Sequence, residues 1–193
     1  MTTLILASSS PYRRQLLEKL GLPFQTVSPE VDETRKVNET PSELVERLAR
    51  LKARTVATSH PNALIIGSDQ VAVYAGDVLG KPHTESAARS QLAQLSGHIV
   101  TFLTGLCVLN STSAVEQAEV VVTPVEFREL TETEIYQYVA REQPLDCAGA
   151  FKSESLGIAL FASIGGSDPN ALVGLPLISL CRMLRTENVT VLG

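Results

Sequence analysis

The 193-residue chain carries 16 Lys and Arg against 21 Asp and Glu, a net charge of −5, with 44 % apolar and 19 % charged residues. This is the balance of a globular chain with a real core, not of a disordered one, and it argues against nonspecific nucleic-acid binding, which needs a basic face. No apolar run approaches the ~18 residues that span a bilayer, and MTTLILASSSP is too short and lacks the basic flank of a secretory signal, so a cytoplasmic protein is expected.

In chain order, residues 3–7 (TLILA) read as a short buried strand. Ser10 and Pro11 then open a helix as N-cap and first helical residue, with Leu16, Leu17 and Leu20 on one face and Gly21 as the stop. Residues 23–28 read as a second strand, followed by the polar loop PEVDETRKVNET. Thr40 and Glu43 form a capping box for a long helix in which Leu44, Leu48 and Leu51 recur at helical spacing. NALIIGSDQVAVYAGDVLGKP reads as strand, turn and strand, and TESAARSQLAQLSG as a helix ending at Gly97. HIVTFLTGLCVLN and AVEQAEVVVTPVEF look like a long antiparallel pair, and Thr131 with Glu134 caps a fourth helix. A loop, a strand, a turn-rich loop and a last helix complete the chain. No repeat or composition break appears, so residues 1–193 are assigned to one α/β domain.

The usual phosphate, dinucleotide, hydrolase and zinc-protease motifs are absent. Cys107, Cys147 and Cys181 are odd in number and isolated in apolar surroundings, and His60, His83 and His98 are scattered; neither set has metal-ligand spacing. What remains is a series of polar groups near strand ends. LASSSPYRR places Ser8, Ser10 and Arg13 at a strand-to-helix turn, where backbone N–H groups can receive an anion and an arginine can add a bidentate donor. Plain capping by Ser10, with Arg14 paired to Glu18, accounts for the same residues. In IIGSDQVAV, Asp69 interrupts a buried apolar strand and must be paired, bound to metal or in a wet cleft. Glu30, Asp32 and Glu33 crowd one loop, which reads as solvated on its own. Lys81 sits in GKP. RLARLKAR sets Arg50 and Arg54 on a solvated helix face, with Lys52 on another. Glu154 follows the small residues of AGAF and reads most simply as a surface group, and GGSDPNALVGLP as a plain loop.

Taken in order, LASSSPYRR, the Glu of VDE, the Lys of RLKA, GSDQ, GKP, AGAF and GLP make the chain resemble the Maf-like nucleotide pyrophosphatases along nearly its whole length. The resemblance implies a two-lobed mixed β-sheet with flanking helices and a central cleft. It implies cleavage of nucleoside triphosphates between the α and β phosphates, with Mg2+ or Mn2+. It makes Ser8, Ser10, Arg13, Lys52 and Lys81 phosphate ligands, Asp69 the proton acceptor, and Glu33, with Asp69, the metal ligands. Among relatives, the positions of Tyr12, Gln70 and Glu154 carry Arg, Thr and Gln in those acting on dTTP and UTP. They carry Trp, Gln and Glu in those acting on 7-methyl-GTP. Gln70, Glu154 and an aromatic Tyr12 favour the second group.

The chemistry agrees. A carboxylate can accept from guanine N–H groups, an amide N–H can donate to O6, and an aromatic face attracts a methylated, cationic base. The implied partner is a nucleoside triphosphate, without stable nucleic-acid or membrane association, and with a homodimer left open. The alternatives are the same chemistry on dTTP, UTP or another noncanonical triphosphate, and a nucleotide-binding regulator of cell division with little turnover.

Overall fold

The computed structural model describes residues 3–193. Its elements are β1 (Thr3–Ala7), α1 (Pro11–Glu18), β2 (Gln25–Val27), α2 (Pro41–Ala57), β3 (Ala63–Tyr74), β4 (Asp77–Leu79), α3 (Glu85–Leu95), β5 (Ile99–Asn110), β6 (Glu116–Phe127), α4 (Glu132–Glu142), β7 (Phe161–Ile164) and α5 (Leu177–Thr186). Short 3-10 turns lie at Ala148–Ala150, Leu156–Leu160 and Ala171–Val173. The result is α/β. One mixed seven-stranded sheet runs β2-β1-β3-β5-β6-β7, with β4 paired to β3.

Local chemistry explains most boundaries. Ser10 Oγ accepts from the Arg13 N–H and Pro11 follows at the first helical position, so α1 starts as the sequence suggests. Thr40/Glu43 and Thr131/Glu134 form complete capping boxes on α2 and α4. The turn between β3 and β4 needs left-handed backbone at both Ala75 and Gly76, which fits a tight two-residue hairpin.

The chain divides into two compact units. The first holds residues up to Gln70, Leu103–Val121 and Asp168–Gly193; the second holds Val71–Phe102 and Val122–Ser167. The second unit packs the rings of Phe102, Phe127, Phe151 and Phe161 edge to face, with centroids 4.8–5.6 Å apart.

In the first unit, β1 pairs in parallel with both β2 and β3, in register Ala7 to Val27 and Ala7 to Gly67. Parallel neighbours need crossovers. The β2–α2–β3 crossover leaves α2 on one face of the sheet, and α1 and α5 pack on the other. Alternation along the strands divides the core accordingly. Leu4, Leu6, Leu64, Ile66, Leu106 and Val108 join Leu16, Leu17, Leu180 and Leu184 of α1 and α5. Ile5, Ala7, Ala63, Ile65, Cys107 and Leu109 face Ala49, Ala53 and Val56 of α2.

On the α2 side the backbones approach very closely. A Cβ at Gly67 would fall 2.1 Å from the Ala49 carbonyl oxygen, and one at Gly105 2.2 Å from that of Val45. Both glycines therefore serve as floor for the helix. Gly67→Ala or Gly105→Ala should lower unfolding stability at the upper end of the ~1–3 kcal/mol typical of core overpacking, or beyond it. Chemical denaturation measures this; an Ala variant as stable as the parent would show that α2 can lift without cost.

Candidate active site

The site follows from continuing the alternation of β3 past Gly67. Ser68 and Gln70 fall on the α5 side, and Asp69 on the α2 side with Gly67. Each side chain finds a different partner.

Lys52 lies one turn beyond Ala49 on α2. Although only 6 % exposed, it places its Nζ 2.6 Å from Asp69 Oδ1 and 2.7 Å from Glu33 Oε1. Asp69 is 7 % exposed and is paired as its burial demands. Glu33 reaches the same ammonium from the 28–40 loop, with its side chain 59 % exposed. Two carboxylates from distant positions thus meet at one cation, their nearest oxygens no further apart than those two contacts allow. Asp32, beside Glu33, caps its own loop by accepting from the Thr34 N–H.

The mouth of α1 supplies the second group. Ser8 is buried, and its Oγ accepts from the Ser10 N–H at 3.1 Å and lies 3.5 Å from Arg13 Nη1. Arg13 Nε donates to the Gly174 carbonyl at 2.9 Å. Burial lowers the Arg13 pKa, and the charges of Asp69 and Glu33 counter that effect. An arginine at a helix start is unfavourable by itself. Here a backbone carbonyl and two nearby carboxylates offset the cost. Arg14 has only an exposed pair with Glu18, as expected of a surface residue.

The segment read from sequence as a plain loop is a hub instead. Gly174 adopts φ +114°, and a Cβ there would sit 3.3 Å from Arg13 Nε. Its carbonyl accepts from Arg13 and lies 2.9 Å from Ser68 Oγ, which is also 2.8 Å from the Gly105 carbonyl. Asp168, 2 % exposed, accepts from Asn170 N–H groups and, at 2.6 Å, from the Ile178 N–H in the first turn of α5. Nothing local marks these roles; the glycine at 174, which a positive φ favours, is their only sequence trace.

Gln70 departs from expectation. Its Nε2 lies 2.9 Å from Thr104 Oγ1, 2.9 Å from the Ala171 carbonyl and 3.1 Å from that of Leu172. Carbonyls only accept, so the amide nitrogen must be the end that faces them. Its N–H groups are spent within the chain and are not available for guanine O6. Gln70 offers a ligand its oxygen, an acceptor. On the Arg50/Arg54 face, Arg54 is exposed as expected though paired with Glu116 on β6, whereas Arg50 is half-buried between Glu116 and Glu46.

Tyr12 is half-buried at the second position of α1. Lys81 and Glu154 belong to the second unit and are exposed, Lys81 in the loop after β4 and Glu154 in the turn before Leu156. Within the first unit the structure thus brings Ser8, Ser10 and Arg13 to the mouth of α1, with Glu33, Lys52 and Asp69 near enough for their charges to act on Arg13, while Gln70 is held against the 171–172 turn. Among the described residues, no group of three or more His, Cys, Asp or Glu could hold a metal ion.

The description "Maf-like protein" is that of a family model matching residues 3–187. The chain belongs to that family. A protein of Pseudomonas aeruginosa named "7-methyl-GTP pyrophosphatase" is 54 % identical over 191 residues, covering 99 % of this chain and all of that one. The last parallel pairing of β1 with β3 joins Ala7 to Gly67, so Ser8, Arg13 and Asp69 all follow the carboxyl end of that pair. There, open α/β sheets offer a crevice for ligands.

Burial raises the Asp69 pKa, with Lys52 and then Arg13 pulling it back and Glu33 adding to it. In the metal-free protein Asp69 should therefore titrate above the ordinary Asp value of ~3.9. Lys52→Met removes the largest opposing influence and should move that titration to higher pH. A carboxyl titration followed by NMR that stays in place would show that Lys52 does not act on Asp69.

Proposed function

We propose that the chain is a metal-dependent nucleoside triphosphate pyrophosphatase that hydrolyses 7-methyl-GTP to 7-methyl-GMP and diphosphate. The convergence of Asp69 and Glu33 on Lys52, with Arg13 near enough to feel both carboxylates, supports the reaction. The near full-length identity to the Pseudomonas relative supports the substrate.

In this reading the triphosphate docks at the α1 mouth. Ser8 and Ser10 orient the turn there and Arg13 contributes positive charge, while Lys52 and Lys81 neutralise further phosphate. Asp69 accepts a proton from the attacking water as its oxygen bonds to phosphorus and the α–β anhydride oxygen leaves with diphosphate. Most of the acceleration in such a displacement comes from positioning and charge stabilisation, which suits a site richer in cations than in nucleophiles.

The donor set fits Mg2+ or Mn2+. Two carboxylate oxygens already gather around a cation, and small hard ions are held by one or two carboxylates together with substrate phosphates. Glu33, with Asp69, would hold the metal, whose contribution is Lewis-acid neutralisation of phosphate charge. Base selection falls to Tyr12, Gln70 and Glu154. Tyr12 provides an aromatic face for the cationic base, worth ~0.5–2 kcal/mol, and Gln70 Oε1 and Glu154 accept from its N–H groups. The three unpaired cysteines agree with a cytoplasmic enzyme.

A panel of 7-methyl-GTP, GTP, dTTP and UTP with pyrophosphate detection should show the highest kcat/KM for 7-methyl-GTP. Faster turnover of dTTP or UTP would overturn the substrate, and tight binding without pyrophosphate release would favour the regulator. Asp69→Asn should lower kcat by about 10²–10⁴-fold, the usual contribution of a general base, with circular dichroism unchanged. Wild-type turnover would remove Asp69 from the mechanism. Glu154→Gln should reduce preference for guanine nucleotides over UTP; unaltered selectivity would place base recognition elsewhere.

A further inference from the structure

Glu33 poses a problem of position. Its side chain is more than half exposed and lies in an irregular loop, yet it meets a buried lysine at 2.7 Å. Burial does not fix it, so some other contact must.

The stretch just after Glu33 is fastened to α2. Arg47, on the second turn of that helix, grips Glu39 through two parallel bonds, Nε to Oε1 at 2.5 Å and Nη2 to Oε2 at 2.9 Å. The same Nη2 donates to the carbonyl of Thr34, the residue next to Glu33, at 3.1 Å. Glu39 is buried and also accepts from the Lys36 N–H at 2.9 Å, while its own carbonyl accepts from Arg35 Nε at 2.8 Å. Thr40 then enters the capping box of α2. Residues 34–40 thus fold around a single carboxylate, and one guanidinium ties both ends of the turn to the helix that also carries Lys52.

We infer that Arg47 and Glu39 are positioning residues for the reaction, clamping the loop so that the Glu33 carboxylate is presented to a divalent cation beside Asp69. This rests on the metal role proposed above for Glu33. Three of the five N–H donors of Arg47, on Nε and Nη2, are committed to Glu39 and Thr34, so the guanidinium is turned toward the loop. A bidentate Arg–carboxylate pair makes an effective clamp because its planar geometry fixes orientation as well as distance. Supporting residues behind metal ligands commonly alter affinity by about 10–100-fold.

The test uses the full chain without nucleotide and Mn2+ as the probe, its free concentration read by electron paramagnetic resonance. Arg47→Met and Glu39→Gln should each weaken Mn2+ binding about tenfold or more. They should accelerate amide exchange over residues 30–38 while leaving β1 and β3 protected. In assays, the Mn2+ needed for half-maximal activity should rise, with kcat recovering as Mn2+ saturates. Arg47→Lys, which keeps the charge but not the fork, should fall between, and it carries the test if Arg47→Met fails to fold. Glu33→Gln should weaken Mn2+ binding with exchange over 30–38 unaltered. Clamp variants that bind Mn2+ like the parent, while Glu33→Gln does not, overturn the clamp alone. Glu33→Gln with parental affinity overturns the metal role and the clamp together.

Discussion

The close seating of α2 on the sheet is the constraint on which the proposed active site depends. Gly67 and Gly105 remove the side chains that would hold the helix away, and Ala49 and Ala53 keep its contact face thin. Lys52 can then reach Asp69 across a helix–strand gap that would otherwise be filled by apolar packing. A buried Lys–Asp pair is a poor source of stability, because desolvating two charges cancels much of their attraction. Its value here is geometric: it holds a carboxylate at the mouth of α1 and gives a second carboxylate, Glu33, a fixed point to meet.

The four residues of GSDQ show how one strand serves several purposes through alternation. Gly67 admits the helix. Ser68 points the other way, to the carbonyls of Gly105 and Gly174. Asp69 turns back to Lys52, and Gln70 returns to the 171–172 turn. A shift of one residue in register would send Asp69 into the Leu-rich core beneath α1 and α5, so register and chemistry are specified together. The Gly174 carbonyl gives Arg13 and Ser68 a common acceptor. The helix mouth and β3 are thereby tied to the loop that precedes α5.

Much of this was legible in the sequence wherever cause and effect lie close along the chain. Ser10-Pro11, Thr40/Glu43 and Thr131/Glu134 announce helix starts through side chains that bond three residues on. Asp69 in an apolar run signals a partner because an unpaired buried carboxylate is too costly, and helical spacing separates Lys52 from Arg50 and Arg54. The sequence does not reveal which distant group each polar residue meets. The Arg50 and Arg54 bonds to Glu116, the Arg13 bond to Gly174 and the direction of the Gln70 amide all span more than sixty residues or depend on which carbonyl lies opposite, except that Gln70 reaches Thr104 across thirty-four. No local periodicity carries that information. The Arg47–Glu39 bond spans only eight residues, yet it too is hidden, because charges in a polar loop look like solvated ones until their burial is known.

The contrast between the two carboxylates suggests how the proposed site divides its labour. Asp69 is enclosed, and burial pushes its pKa up against the pull of Lys52 and Arg13. A carboxylate in that condition takes a proton more readily than one in water, which a general base requires. Glu33 is largely hydrated. It can share a water-bearing divalent ion without first losing its own solvation, which suits an ion that dehydrates reluctantly. A buried Glu33 would bring its charge closer to Asp69 in a drier setting and make it harder to keep both ionised. Holding one on a rigid strand and the other on a clamped surface loop, with a single lysine between them, meets both demands.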